Sequence, residues 1–287
     1  MKSFAVCFFH KFKNYFNKLG FINKVRSVIL SILILLIGLP SIAQVPLSMR
    51  DPKKKGIIYR KEFTFGAKIA SNGWGVVFNT GKILNIKRTR LFEFELADIK
   101  HPKEKKQSAE LGFWSLPVGS PKDFYYGKQN EFFTIRAGFG YRRNIAEKAE
   151  KNGVNLSLVY LGGISLGFLK PYYLDLAYPI DSAGDIAEVR SEKYGDNNNQ
   201  AKFTNWYEIV GASGFGKGFK ELEPVPGVYA KLALNFEFGS RDNFITALEG
   251  GFMADIYYKK VPIMINQDNN FLWMQAYLSL HIGKRKQ

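Results

Sequence analysis

The chain contains a single cysteine, Cys7, and it precedes the longest apolar run. No disulfide framework and no cysteine metal site can be built from it. No cysteine follows that run, so lipid attachment at an exported N-terminal cysteine is excluded as well. Histidine is scarce too: His101 and His281 alone follow the run, too few for a histidine metal centre. Asp and Glu are missing from the first 44 residues. Nowhere do 18 apolar residues follow one another, so no segment has the length of a spanning helix.

The acid-free start carries Lys2, Lys11, Lys13, Lys18, Lys24 and Arg26, then the run Val28–Leu39 and Pro40-Ser41-Ile42-Ala43-Gln44. Basic segment, apolar stretch and small residues before a cleavage point make a secretory signal peptide. The expected division is a signal peptide over 1–43, a periplasmic segment over 44–56 and one β-domain over 57–287. Removing six of the 41 basic residues leaves 35 against 25 acids, a charge of +10 after cleavage. For an exported protein the matching anionic partner is a lipid headgroup, lipopolysaccharide included, and not nucleic acid.

Eight segments alternate in polarity with a period of two, the signature of strands with two unlike faces. Phe133, Ile135, Ala137, Phe139 and Tyr141 take one parity of residues 132–142, and Thr134, Arg136, Gly138, Gly140 and Arg142 the other. The other strands are expected near 60–71, 74–80, the Phe92–Leu96 segment, 154–168, 228–239, 243–258 and 271–283. Asn72-Gly73 between the first two is a strong hairpin signal. Links after strands two, four and six are short. Those after strands three, five and seven are longer, about 99–129, 170–227 and 259–270. Short periplasmic turns and long external loops are the rhythm of a bacterial membrane barrel.

Side-chain sorting gives the direction of the faces. Opposite the aromatic parity stand Glu62, Lys68, Glu93, Glu95, Arg136, Arg142, Lys231, Glu237, Glu249 and Asp255. In a soluble protein they would face water around an aromatic core. The interior of an eight-stranded barrel is only wide enough to be filled by side chains. Paired charges with glycines fit it better than several aromatics per layer. The expected fold is therefore all-β: an antiparallel up-and-down transmembrane barrel of about eight strands, charges in the lumen.

Other motifs carry less. Gly211–Gly218 nearly matches a phosphate-binding loop, but Gly218 stands where Ser or Thr should hold magnesium. It reads as a glycine-rich external loop or lumen plug. His101-Pro102-Lys103-Glu104-Lys105-Lys106 ends a strand at its proline and reads as a solvated rim. Ser279 and His281 share a face of the last strand, which invites a nucleophile-and-base reading; nothing in the sequence fixes a bond between them. The runs 196–200 and 266–270 lack the alternating acids of a calcium loop. No cofactor, metal or catalytic residue is expected.

The signal ending at Ala43-Gln44, the alternating strands and the closing Leu278-Ser279-Leu280-His281-Ile282-Gly283-Lys284-Arg285 resemble small outer-membrane β-barrel proteins of the Bacteroidota type, OmpX-like or secretion-accessory-like. The resemblance covers about residues 57–287. It implies an outer-membrane location and a non-enzymatic scaffold, interaction or secretion-accessory role, with a lipid-modifying enzyme and a narrow transport barrel as alternatives. Loop 170–227 is the expected site of any protein partner, its 203–222 part folded over the barrel mouth.

Overall fold

The computed structural model describes residues 59–85, 87–108, 122–146, 153–180, 187–238, 243–265 and 269–286. The expected signal peptide and the 44–56 segment lie outside them. The strands in chain order are β1 (Lys61–Ala70), β2 (Gly73–Asn85), β3 (Arg88–Ile99), β4 (Lys106–Gln107), β5 (Phe124–Tyr125), β6 (Asn130–Ala146), β7 (Asn155–Pro171), β8 (Tyr173–Pro179), β9 (Ala187–Lys193), β10 (Ile209–Ala212), β11 (Glu223–Phe238), β12 (Phe244–Tyr257) and β13 (Leu272–Lys286). Eight of them close a barrel in the order β1-β13-β12-β11-β7-β6-β3-β2. The first and last strands pair from Lys61↔Lys286 to Ala70↔Tyr277, so no edge is left open.

Period-two patterning sets which face points where. On β11, Tyr229, Lys231, Ala233, Asn235 and Glu237 are buried while Val228, Leu232, Leu234, Phe236 and Phe238 are exposed. The same sorting runs round the barrel: Ile69, Ile164, Phe252 and Met274 are each 68–74% exposed, and Arg136 and Asp255 are 0%. A continuous exposed apolar belt around a charged interior is the reverse of a water-soluble sandwich. The barrel spans a bilayer.

Two strands outrun their sequence signals. β7 continues to Pro171, and β11 begins at Glu223 although Pro224 and Pro226 follow at once. The expected external link 170–227 is therefore shortened at both ends. The prolines are tolerated because their missing N–H groups face the side where β12 has ended; at the last rung Tyr258 N still donates to Pro226 O, 3.1 Å.

That link is also not a structureless loop. It folds into a three-stranded sheet, β10-β8-β9, with a short helix α1 (Gln200–Phe203). Alternate residues of β8 point Leu174 and Leu176 into a core with Phe124, Tyr172, Phe203, Ile209 and Ile265. Phe124 comes from the third link and Ile265 from the seventh, so three links build one cap. The asparagine run supplies one of its turns. Asn197 and Asn198 take positive φ (48° and 56°), which asparagine tolerates better than most residues. Asn199 accepts from Gly195 N (3.0 Å) and donates to Glu192 Oε2 (2.8 Å) and Lys193 O (3.0 Å).

Candidate functional site

The interior is built in levels, counted here from the end that carries the chain termini. At the first level Arg142 donates to both oxygens of Glu62 at 2.6 Å, and Arg285 reaches Glu237 at 2.6 Å and Glu62 at 3.7 Å. At the second, Lys231 pairs with Glu93 and, at 3.0 Å, with Glu249, which also accepts from the Tyr277 hydroxyl at 2.8 Å and from Asn235 Nδ2 at 3.3 Å. At the third, Arg136 makes a two-pronged bond to Asp255 (2.8 Å each) and pairs with Glu95, which also pairs with Lys68. The Tyr277 ring lies between the last two levels, 5.2 Å from Lys68 Nζ and 5.4 Å from Lys231 Nζ.

Each of the ten charged residues singled out in the sequence is inside the barrel, at 0–7% exposure, and each has an opposite charge as partner. A further member, Arg285, was legible in the same parity as Tyr277, Ser279 and His281. The interior is more apolar than expected. Leu91, Val159, Leu161, Tyr229, Ala233, Met253 and Tyr277 form a buried cluster among the charges.

Ser279 and His281 do meet: Oγ and Nε2 are 2.8 Å apart. Both are 2% exposed, inside the barrel toward its terminal end. Gly66 makes room for the imidazole, since a Cβ there would sit 2.6 Å from His281 Nδ1. The cavity beside His281, lined also by Asn79, Arg142, Asn235 and Glu249, holds about one water molecule. An imidazole and hydroxyl at this distance can exchange a proton, but no acyl chain or headgroup reaches them.

Above the third charge level the mouth is closed by apolar packing. Ile99, Phe132, Leu169, Val225, Tyr257 and Trp273, from the loop ends of six barrel strands, pack against Val261, Ile263 and Met264. These last three belong to the link between β12 and β13, which turns into the mouth and is tied there. Ile263 O accepts from Gln129 N (2.8 Å) and Asn130 N (3.2 Å), and Pro262 O accepts from Asn130 Nδ2 (2.7 Å). The plug is thus 261–264, not the glycine cluster.

The glycine cluster lies on the outside. Gly218, at φ +86°, brings the chain against Pro171 O, 2.7 Å from where its Cβ would stand. A 3-10 turn at Phe219–Glu221 follows, not the long helix a phosphate loop requires. Phe215 and Phe219 sheathe an ion pair on the outward parity of β6 and β7. Lys170 Nζ is 2.7 Å from Glu131, 3.8 Å from the Phe215 ring and 4.6 Å from the Phe219 ring. Stacking rings on the ammonium keeps that pair out of hydrocarbon, where a bare ion would be costly. So 203–212 belongs to the cap, while 215–219 folds down the barrel flank.

In the cap, burial pushes the Tyr172 hydroxyl up to about 12. Its oxygen accepts from Tyr125 N at 3.1 Å. The Glu221 carboxyl is held below its usual range by hydrogen bonds from Lys193 and Tyr173. The described residues contain no group of His, Cys, Asp and Glu able to hold a metal ion.

No protein-family model matches the chain, and no curated protein does. Several solved structures are similar. Ail, the attachment invasion locus protein of Yersinia pestis, aligns over 80% of this chain and 100% of its own at 9% identity and a TM-score of 0.37. Neisserial surface protein A aligns over 79% of this chain and 97% of its own, at 8% identity and 0.37. The N-terminal β-barrel domain of Pseudomonas aeruginosa OprF aligns over 79% and 98%, at 7% identity and 0.31.

Proposed function

We propose that this protein is a non-enzymatic outer-membrane barrel whose role is to hold its folded cap at the cell surface for a protein partner. The observation that carries the reading is the sealed interior: three levels of ion pairs capped by an apolar layer. Such a lumen offers no path for transport. With short turns at the terminal end and long links at the other, the terminal end faces the periplasm and the cap faces outside. The cap presents Tyr126, 5.6 Å from the Trp206 ring, and Tyr207, 71% exposed, residue types that interfaces favour. Lys217 and Lys220, exposed beside the flank aromatics, suit lipopolysaccharide phosphates. A secretion-accessory role is the same reading with a translocated protein as the partner.

Two experiments test it. In planar bilayers the protein should give no conductance steps; a stable open channel would end the scaffold reading in favour of transport. A photo-crosslinking residue at position 207 should capture a discrete protein on intact cells, while the same residue at lipid-facing Leu232 should capture none. Equal capture at both positions removes the cap as the functional surface. The enzymatic alternative is disfavoured because Ser279 and His281 are enclosed.

A further inference from the structure

The lipid-facing belt ends, at the terminal end, in a set of cations confined to neighbouring strands. On the outward parity Lys61 follows Phe63, Lys284 and Lys286 follow Ile282, Arg90 and Arg88 follow Phe92, and Arg143 follows Tyr141; on β2, Lys82 follows Phe78 and Thr80. All seven are exposed. Successive outward residues are about 6.6 Å apart along a strand. On β1, β3 and β13 the cations therefore sit one or two such steps beyond the last apolar side chain, at the depth where hydrocarbon gives way to headgroups; on β2 and β6, Lys82 and Arg143 sit one step before exposed Leu84 and Ile145.

The register brings these cations face to face. Lys61 is directly opposite Lys286 on one side and Lys82 on the other; Lys82 is opposite Arg90, and Arg88 is opposite Arg143. Like charges directly opposite each other destabilise a sheet. Here they recur across β13, β1, β2, β3 and β6, which are consecutive in the barrel. None of the seven has an acidic partner among the described residues. The other flank carries Leu156, Leu158, Phe236, Phe238 and Phe244 at its terminal end instead. Three of the seven lie over rings: the Arg88 guanidinium is 3.8 Å from the Tyr141 ring centre, that of Arg90 5.9 Å from the Phe139 ring, and Lys286 Nζ 5.7 Å from the Phe63 ring. Rings on the lipid face hold the charges against the membrane surface.

We propose that this one-sided belt binds the phosphate groups of anionic phospholipids in the leaflet on the side of the chain termini. The shared anion would relieve the repulsion between facing cations, and guanidinium pairs suit the forked geometry of phosphate. The inference rests on the barrel spanning a bilayer and is independent of the partner proposed for the cap.

Native mass spectrometry of the full chain, released from mixed micelles of phosphatidylglycerol and phosphatidylcholine, tests it. Wild type should retain phosphatidylglycerol over phosphatidylcholine at least about fivefold, the discrimination of one cation near an anionic headgroup. The variant K82Q/R88Q/R90Q/R143Q should bind the two lipids at near parity, and K217Q/K220Q, at the opposite end, should keep the wild-type ratio. A heat-modifiable gel band reports folding of each variant. If the quadruple variant fails to fold, R88Q/R143Q should still at least halve the ratio. No preference in wild type, an unchanged ratio in the belt variants, or a loss that follows Lys217 and Lys220 instead would overturn the proposal.

Discussion

Replacing Arg136 with Gln probes whether the third charge level is dry and internally balanced. Arg136 and Lys68 face Glu95 and Asp255, two charges against two, all at 0–2% exposure. R136Q leaves two carboxylates against one ammonium and strips Asp255 of both its 2.8 Å bonds. Breaking a buried pair by removing one partner costs about 3–5 kcal/mol, because an uncompensated charge stays behind. D255N should cost a similar amount by leaving two cations against one carboxylate. The double variant R136Q/D255N restores neutrality through Lys68 and Glu95. Its loss should fall short of the summed single losses by about 2–3 kcal/mol. Reversible urea unfolding in phospholipid vesicles, followed by tryptophan fluorescence and heat-modifiable migration, measures all three. A water-filled lumen would screen these charges. In that case R136Q would cost under about 1 kcal/mol and the single losses would add, and the reasoning from a sealed interior would be refuted.

Further outcomes follow from other parts of the molecule. Ile164→Arg, on the lipid face near the middle of β7, should lower vesicle folding stability by about 2–4 kcal/mol, whereas a change within error would mean that this face does not meet hydrocarbon. Because burial raises the Tyr172 hydroxyl to about 12, folding holds a proton that the unfolded chain releases near 10. Its contribution is complete below pH 10 and is lost as pH rises through about 12. Tyrosinate absorbance should show the cap opening in that window, and Y172F should remove that component; identical curves would contradict the assignment. Gly218→Ala should free the 213–222 segment, given its φ of +86° and the Pro171 carbonyl in the way. Limited proteolysis should then cut there while the barrel band stays heat-modifiable, and resistance equal to wild type would show that the flank turn tolerates a side chain.

The barrel was legible in the sequence because lipid and lumen alternate residue by residue, so each strand states its own two faces. Phe94 and Glu93, or Phe236 and Glu237, needed no tertiary information. Strand ends were less legible. The alternation marks the strand only over 228–239, and only the position of the neighbouring strand reveals that the missing donors of Pro224 and Pro226 cost the ladder little. The cap escaped because its core is assembled from three separate links, with Phe124, Leu174, Phe203 and Ile265 each isolated in sequence. The mouth plug did leave a trace. Val261-Pro262-Ile263-Met264-Ile265 is an unbroken apolar run inside a link that ought to be polar. The Ser279–His281 contact was legible as a shared face but not as a bond, since alternate residues lie side by side whether or not they touch. Its depth in a closed lumen depends on Gly66 of a strand more than 200 residues away.

The pairing of β1 with β13 has a kinetic consequence. Most barrel ladders join strands that are neighbours along the chain, but the last joins Lys61 to Lys286. The interior charges follow the same split. Arg136 and Asp255 are 119 residues apart, Lys231 and Glu93 are 138, and Arg142 and Glu62 are 80; in the barrel order each pair spans non-neighbouring strands. An open, curled sheet therefore carries many of these charges without their partners, on a face that hydrocarbon will not accept. Closure supplies the final ladder and the cross-lumen neutralisation in one step. Half-inserted forms should accordingly be sparsely populated, and a chain truncated before Leu272 should fail to enter the membrane at all instead of forming a seven-stranded barrel.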